Sequence, residues 1–139
     1  MVNPDTINER LSEMRENLLL LQELSSIPLD KFCKDPKIFK LAERCLEVSI
    51  QCILDICHHI IVDNDWSRPR DNKEVFRIVA SKEIIPEDFA KKIEPMAGLR
   101  NILAHEYLKI DPNILHNNLK NIQDFQEFQK YIVKYLKKV

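Results

Sequence analysis

PKIFKLAERCLEVSIQCILDICHHIIV, residues 36–62, decides the fold. Ile38, Leu41, Ala42, Cys45, Leu46, Ser49, Cys52, Ile53, Ile56, Ile60 and Ile61 recur at helical steps and give one long helix a wide apolar face. Asp35 and Pro36 open the stretch. The carboxylate can accept from orphan N–H groups, and proline in the first turn gives up no hydrogen bond. Asn3-Pro4 and Asp111-Pro112 repeat the device and open two further helical runs.

Working outward, the spacing predicts a helix from Pro4 to Leu24 with Ile7, Leu11, Met14, Leu18 and Leu21 inward, and a second from Pro36 to Val62. A short helix follows at Lys73 to Lys82, with Val75, Phe76 and Val79 inward. The run from Pro86 to Tyr107 is read as one helix kinked near Pro95, its stripe marked by Phe89, Ile93, Met96, Leu103 and Tyr107. The last helix runs from Pro112 to Leu136, with Leu115, Leu119, Ile122, Phe125, Phe128, Ile132 and Leu136 inward. Residues 25–34 and the polar stretch 63–72 read as connections. No strand pattern and no repeat interrupts this. The expectation is all-α: an up-and-down four-helix bundle with an additional short helix, in one domain spanning 1–139.

Composition agrees. Only one residue of 139 is glycine, while 45% are hydrophobic and 31% charged, a balance that favours helices over turn-rich sheets. Twenty-one Lys and Arg nearly cancel 22 Asp and Glu, so any nucleic acid must be held by a local patch. Met1-Val2-Asn3-Pro4-Asp5 lacks the basic start and apolar core of a secretion signal, and Leu18 to Leu21 is too short to span a bilayer. These features lead to the expectation of a cytoplasmic protein with no membrane partner. Cys33, Cys45, Cys52 and Cys57 form no C-x-x-C pair and read as small apolar fillers kept reduced. Cys45, Cys52 and His59 recur every seven residues, but ligands two turns apart on one helix are too distant to share an ion. No metal and no cofactor is expected.

The chemistry concentrates in Gly98-Leu99-Arg100-Asn101-Ile102-Leu103-Ala104-His105-Glu106-Tyr107. Arginine, histidine and tyrosine suit phosphate chemistry, and here they interrupt an apolar stripe where polar groups need a partner or a role. Arg100 and Tyr107 share a face, but Arg100 and His105 differ by roughly 140° on a straight helix. Either the helix distorts, or another element completes the site. A two-fold dimer is one solution, and the small Ala97, Gly98 and Ala104 permit close helix approach. As a purely structural group, Arg100 has Glu43, Glu47 and Asp55 as candidate partners. Asp55 and His59, four residues apart, can form a carboxylate–imidazole pair or an ordinary interhelix bond. Trp66, Arg68 and Arg70 combine a stacking surface with two cations, which suits single-stranded RNA and equally an ordinary solvated loop.

Arg100, four residues, His105, one residue, Tyr107 resembles the motif of HepT-type HEPN toxins, from the HEPN/minimal nucleotidyltransferase toxin–antitoxin family. The surroundings carry the likeness further. Leu41-Ala42-Glu43-Arg44, Ile53-Leu54-Asp55-Ile56 and His59-Ile60-Ile61 resemble the family's second helix. Ile84-Ile85, Phe89-Ala90 and Met96 to Asn101 resemble its approach to the motif. The resemblance implies a helical homodimer and a metal-independent ribonuclease, with RNA (tRNA or mRNA) as substrate. It also implies a nucleotidyltransferase antitoxin that transfers AMP to Tyr107. The family's catalytic arginine and histidine map onto Arg100 and His105, and its polar residue after the arginine onto Asn101.

That chemistry is physically coherent. The RNA 2′-hydroxyl is the nucleophile, His105 moves a proton, and Arg100 stabilises charge on the phosphorane oxygens. Two alternatives stand beside it. One is a non-catalytic helical partner that docks a nucleotidyltransferase and presents Tyr107. The other is a structural dimerisation bundle with a buried Arg–Glu network.

Overall fold

The structure is a computed structural model, and it describes residues 2–105 and 110–139. Helix α1 spans Pro4–Ser25, α2 Leu29–Lys34, α3 Pro36–Asp63, α4 Asn72–Ser81, α5 Glu87–Ile93, α6 Pro95–Ala104, α7 Pro112–Asn118 and α8 Ile122–Leu136, with a 3₁₀ turn at Leu119–Asn121 before α8. Among the described residues there is no strand. The all-α bundle expected from the pattern is the observed fold.

The three Asx-Pro starts are capped as read. Asp5 N–H donates to Asn3 Oδ1 at 3.0 Å, Lys37 N–H to Asp35 Oδ1 at 3.0 Å, and Asn113 N–H to Asp111 Oδ1 at 2.8 Å. The same Asn113 N–H holds the Asp111 carboxyl below its usual range. A fourth cap moves a boundary: Glu74 N–H donates to Asp71 Oδ1 at 2.9 Å, so α4 begins at Asn72.

Three expectations need correction. The connection 25–34 contains α2, anchored by Phe32, which is fully buried with its ring edge-on to Phe39 and His116. The run read as one helix from Pro86 to Tyr107 is, over its described part, two helices, with His105 outside the second. Pro95 lacks the N–H needed to continue α5, and α6 stops at Ala104. The last helix is broken into α7, the 3₁₀ turn and α8. Asn117, Asn118 and Asn121 crowd that break, and Asn118 Nδ2 donates back to the Ile114 carbonyl at 2.8 Å, competing with the helical ladder.

Helix α3 is the hub, packing against α1, α2, α4, α6, α7 and α8. Its length and hydropathy would suffice to cross a bilayer, yet 61% of its most apolar window is buried inside the fold. The apolar face is therefore consumed by the other helices. Ala42, Cys45, Leu46, Ser49, Cys52, Ile53, Ile56, Ile60 and Ile61 are buried as read. Leu41 departs from the expectation: it is 43% exposed at the edge of the stripe. Ile7, Leu11, Met14, Leu18 and Leu21 of α1 and Phe125, Phe128 and Ile132 of α8 meet α3 in one continuous core. Asn64, capping the end of α3, donates to the Tyr135 hydroxyl at 3.1 Å and ties that end to α8.

Candidate active site

Arg100 and Asn101 lie in the second half of α6, the helix that crosses α3. Arg100 Nε donates to Gln51 Oε1 of α3 at 2.7 Å, and its Nη1 donates to Asn101 Oδ1 at 3.3 Å. Gln51 Nε2 in turn donates to Asp55 Oδ1 at 2.8 Å, one helical turn further along α3. Asp55 Oδ2 faces Arg10 Nε of α1 at 3.6 Å, an ion pair rather than a hydrogen bond. Arg10 Nη1 donates to Glu13 Oε2 at 3.2 Å. A polar chain thus crosses three helices, from Glu13 on α1 through Asp55 and Gln51 on α3 to Arg100 on α6. Arg10 Nε is itself buried and makes no hydrogen bond among the described residues.

His105 follows directly. It caps the C-terminus of α6 with extended backbone, φ −102° and ψ 111°, and its side chain is exposed. The chain has left the helix there, so the angular separation that opposed Arg100 and His105 on a continuous helix does not govern them. Tyr107 lies outside the described residues. Asn101 borders a groove of about 350 Å³ that also touches Lys73 and Gly98. Among the described residues a Cβ built on Gly98 meets nothing within 4 Å, so their packing does not require the glycine.

The remaining expected residues are dispersed. Glu47 accepts from Arg44 Nη1 at 3.4 Å on its own helix. Burial raises the Glu43 carboxyl above its usual range, opposed by Lys40 and reinforced by Glu47. Among the described residues no carboxylate lies within ion-pair distance of Arg100, and none of Glu43, Glu47 and Asp55 is its direct partner. Asp55 takes Gln51 and Arg10, and among the described residues no hydrogen bond joins it to His59. Trp66 and Arg68 line a cavity of about 500 Å³ with His58. Lys82 Nζ sits 5.2 Å from the centre of the Trp66 ring. Arg70 is drawn away into a 2.7 Å pair with Glu74. Cys45, Cys52 and Cys57 are buried, while Cys33, expected as a filler, is exposed.

Gln51 and Arg10 were not singled out from the sequence. The available signal was the spacing of Gln51 and Asp55, two polar residues one turn apart in an otherwise apolar run. A pair so placed implies a satisfied interior network.

The polar chain also marks its neighbour Cys52, whose thiol is pushed up to about 12 by burial first and then by the Glu13 and Asp55 carboxylates, with Arg10 opposing. Burial alone drives Cys57 up as well. Below the ordinary thiol value of 9.0 both states keep the proton, and nothing changes with pH. Above it the unfolded chain ionises while the buried thiol does not, so stability falls by about 1.4 kcal/mol per pH unit for each such thiol. Urea midpoints measured from about pH 8 to about pH 10.5 should decline, and Cys57→Ala should decline less steeply by one thiol's share. An identical slope in that variant would contradict the assignment.

The profile of the family described as ribonuclease HepT-like matches residues 14–132 of this chain. The chain belongs to the HepT-like ribonuclease family. The match runs from the middle of α1 into α8 and includes the whole segment from Arg100 to His105. Among relatives of the HepT-like chain, the tRNA nuclease HepT of Aphanizomenon flos-aquae is 33% identical over 112 residues, covering 81% of this chain and 76% of that protein. The mRNA nuclease HepT of Shewanella oneidensis is 26% identical over 129 residues, covering 89% and 93%. Two solved structures share the HepT-like fold. The cytosolic protein of unknown function YutE from Bacillus subtilis superposes with a TM-score of 0.86 at 22% identity, over 99% of this chain and 92% of that one. A tri-AMPylated Shewanella oneidensis HEPN toxin, in complex with MNT antitoxin, gives 0.84 at 21% identity, over 94% and 98%.

Proposed function

We propose that this chain is the toxin of a toxin–antitoxin pair and cleaves RNA by metal-independent transesterification. One observation carries the reading. Arg100 is anchored through Nε by a neutral amide, and among the described residues no carboxylate compensates its charge. A guanidinium held this way keeps donors and net charge for a phosphodiester.

In the reaction, a base removes the proton of the 2′-hydroxyl, and the 2′-oxygen forms a bond to phosphorus. The bond to the 5′-oxygen breaks, and that oxygen takes up a proton. His105, exposed at the end of α6, performs one or both transfers, since imidazole exchanges protons near neutral pH. Arg100 stabilises the charge on the non-bridging oxygens. Asn101, which accepts from Arg100, orients it or a phosphate oxygen. The products are a 2′,3′-cyclic phosphate and a 5′-hydroxyl.

A homodimer packed near α6 places two such sets along one cleft. Among the described residues nothing lies within 4 Å of a Cβ at Gly98, and Ile102 is 39% exposed two residues beyond Arg100, which supports approach by a second copy. Trp66 and Arg68 offer a stacking surface and a cation to the RNA. A nucleotidyltransferase antitoxin restrains the toxin by transferring AMP to Tyr107, adding a negative group and bulk two residues along the chain from His105.

The test is RNA cleavage by the purified protein in EDTA. Cyclic-phosphate ends are expected, and a single 2′-deoxy substitution at the cut site should block it. Intact mass after co-expression with a nucleotidyltransferase should rise in AMP increments mapped to Tyr107. A strict Mg²⁺ requirement, or cutting of the deoxy substrate, overturns the mechanism. Absence of cleavage with AMP still transferred to Tyr107 leaves the docking-subunit alternative.

A further inference from the structure

We propose that Gln51, itself held by Asp55 and Arg10, is the positioning residue that aims Arg100 at the phosphate and keeps its charge available. The proposal rests on the reading of Arg100 as a phosphate-binding group and adds the means by which this chain holds it.

The orientation of the Gln51 amide follows from its two neighbours. Arg100 can only donate, so it must face an oxygen; ionised Asp55 can only accept, so it must face the NH₂ group. Both are met by one amide orientation, with bonds of 2.7 Å to Arg100 and 2.8 Å to Asp55. The opposite orientation sets two donors and two acceptors against each other. Asp55 is in turn fixed from α1, where Arg10 faces it at 3.6 Å and is itself tied to Glu13. The position of Arg100 is thereby referred to the packing of α1 on α3 rather than to its own helix alone.

The engaged atom matters as much as the contact. Gln51 occupies Nε and leaves the two terminal nitrogens, the pair that forks onto phosphate oxygens, to Asn101 and to a ligand. A carboxylate in place of the amide would make an equally short bond but neutralise the guanidinium. Neutrality at position 51 is thus a requirement of function: glutamate would still accept from Arg100, but it would cancel the charge and lose the donor to Asp55.

Three variants separate these ideas: Gln51→Ala, Gln51→Glu and Asp55→Asn. The first readout is the Arg100 Nε–H resonance in proton–nitrogen spectra, assigned by its loss in Arg100→Lys. The second is affinity for an RNA oligonucleotide fully 2′-O-methylated against cleavage. The third is kcat and KM on the cleavable RNA. Gln51→Ala should expose Nε–H to fast exchange and lower kcat/KM by roughly 10- to 100-fold, the scale of a misplaced positioning group. Gln51→Glu should keep Nε–H protected yet weaken RNA binding roughly tenfold, raising KM more than it lowers kcat. Asp55→Asn lets the amide turn and should fall between wild type and Gln51→Ala, with the double variant no worse than Gln51→Ala alone.

The proposal is overturned if Gln51→Glu binds RNA as tightly as wild type, if Nε–H stays protected in Gln51→Ala, or if the two effects multiply in the double variant. If Gln51→Ala does not fold, the isosteric Gln51→Glu and Asp55→Asn decide. If wild type cleaves no RNA, the ribonuclease reading fails on that result, while the resonance and the methylated-RNA affinity still decide the role of Gln51.

Discussion

His105→Ala should abolish measurable RNA cleavage, a loss of roughly 10²- to 10⁴-fold in kcat, the range a general acid or base supplies. The fold should be untouched. His105 is exposed and lies just past the last helical residue of α6, outside the packed core. Initial rates on a fluorescent RNA, read beside a thermal melt, test both halves. A rate within about threefold of wild type would remove His105 from the chemistry, because a proton-transfer group cannot be lost so cheaply.

Arg100 provides the matching control. It is half-buried, and its partner Gln51 is neutral, so truncating it strands no buried carboxylate among the described residues. A bundle held together by a buried Arg–Glu network would lose about 3–5 kcal/mol on such a change. The arrangement seen here gives Arg100→Ala a large loss of activity and a small loss of stability. The two substitutions together therefore separate the ribonuclease reading from the structural one.

What the sequence revealed follows from the range of the interactions involved. The starts of α1, α3 and α7 were legible because cap and proline are adjacent in the chain, and the stripe of α3 because it repeats over many turns. Helix α2 was not, since a six-residue helix holding one buried anchor, Phe32, has too few turns to display a period. Proline marked the α5–α6 break. The α7–α8 break turns instead on Asn118 bonding back to its own helix, which a hydrophobic pattern does not register.

At the candidate site the same distinction applies. Arg100, Asn101 and His105 stand close in sequence and are legible together. Gln51 lies 49 residues from Arg100, and a lone amide on an apolar helix suggests no chemistry until its partners are placed around it. For Asp55, local spacing points to His59 as partner, whereas Gln51 on α3 and Arg10 on α1 take that place. A contact between helices overrode one within a helix.

The fold carrying this network should be most sensitive at Phe125. Its ring is 1% exposed and, with Leu46 and Ile50 of α3 and Met96 and Leu99 of α6, lines a hollow of about 210 Å³. Phe125→Ala should cost about 3–5 kcal/mol, the range for a buried aromatic truncated to alanine. With a domain's whole stability at about 5–15 kcal/mol, the variant should unfold at markedly lower urea. The walls of the hollow are also what hold α6 against α3, so the Arg100–Gln51 bond should loosen before global unfolding, visible as early exchange of Arg100 Nε–H. A loss below about 1.5 kcal/mol would mean that the neighbouring side chains collapse into the gap, and that α6 is held chiefly by the polar chain rather than by its apolar seat.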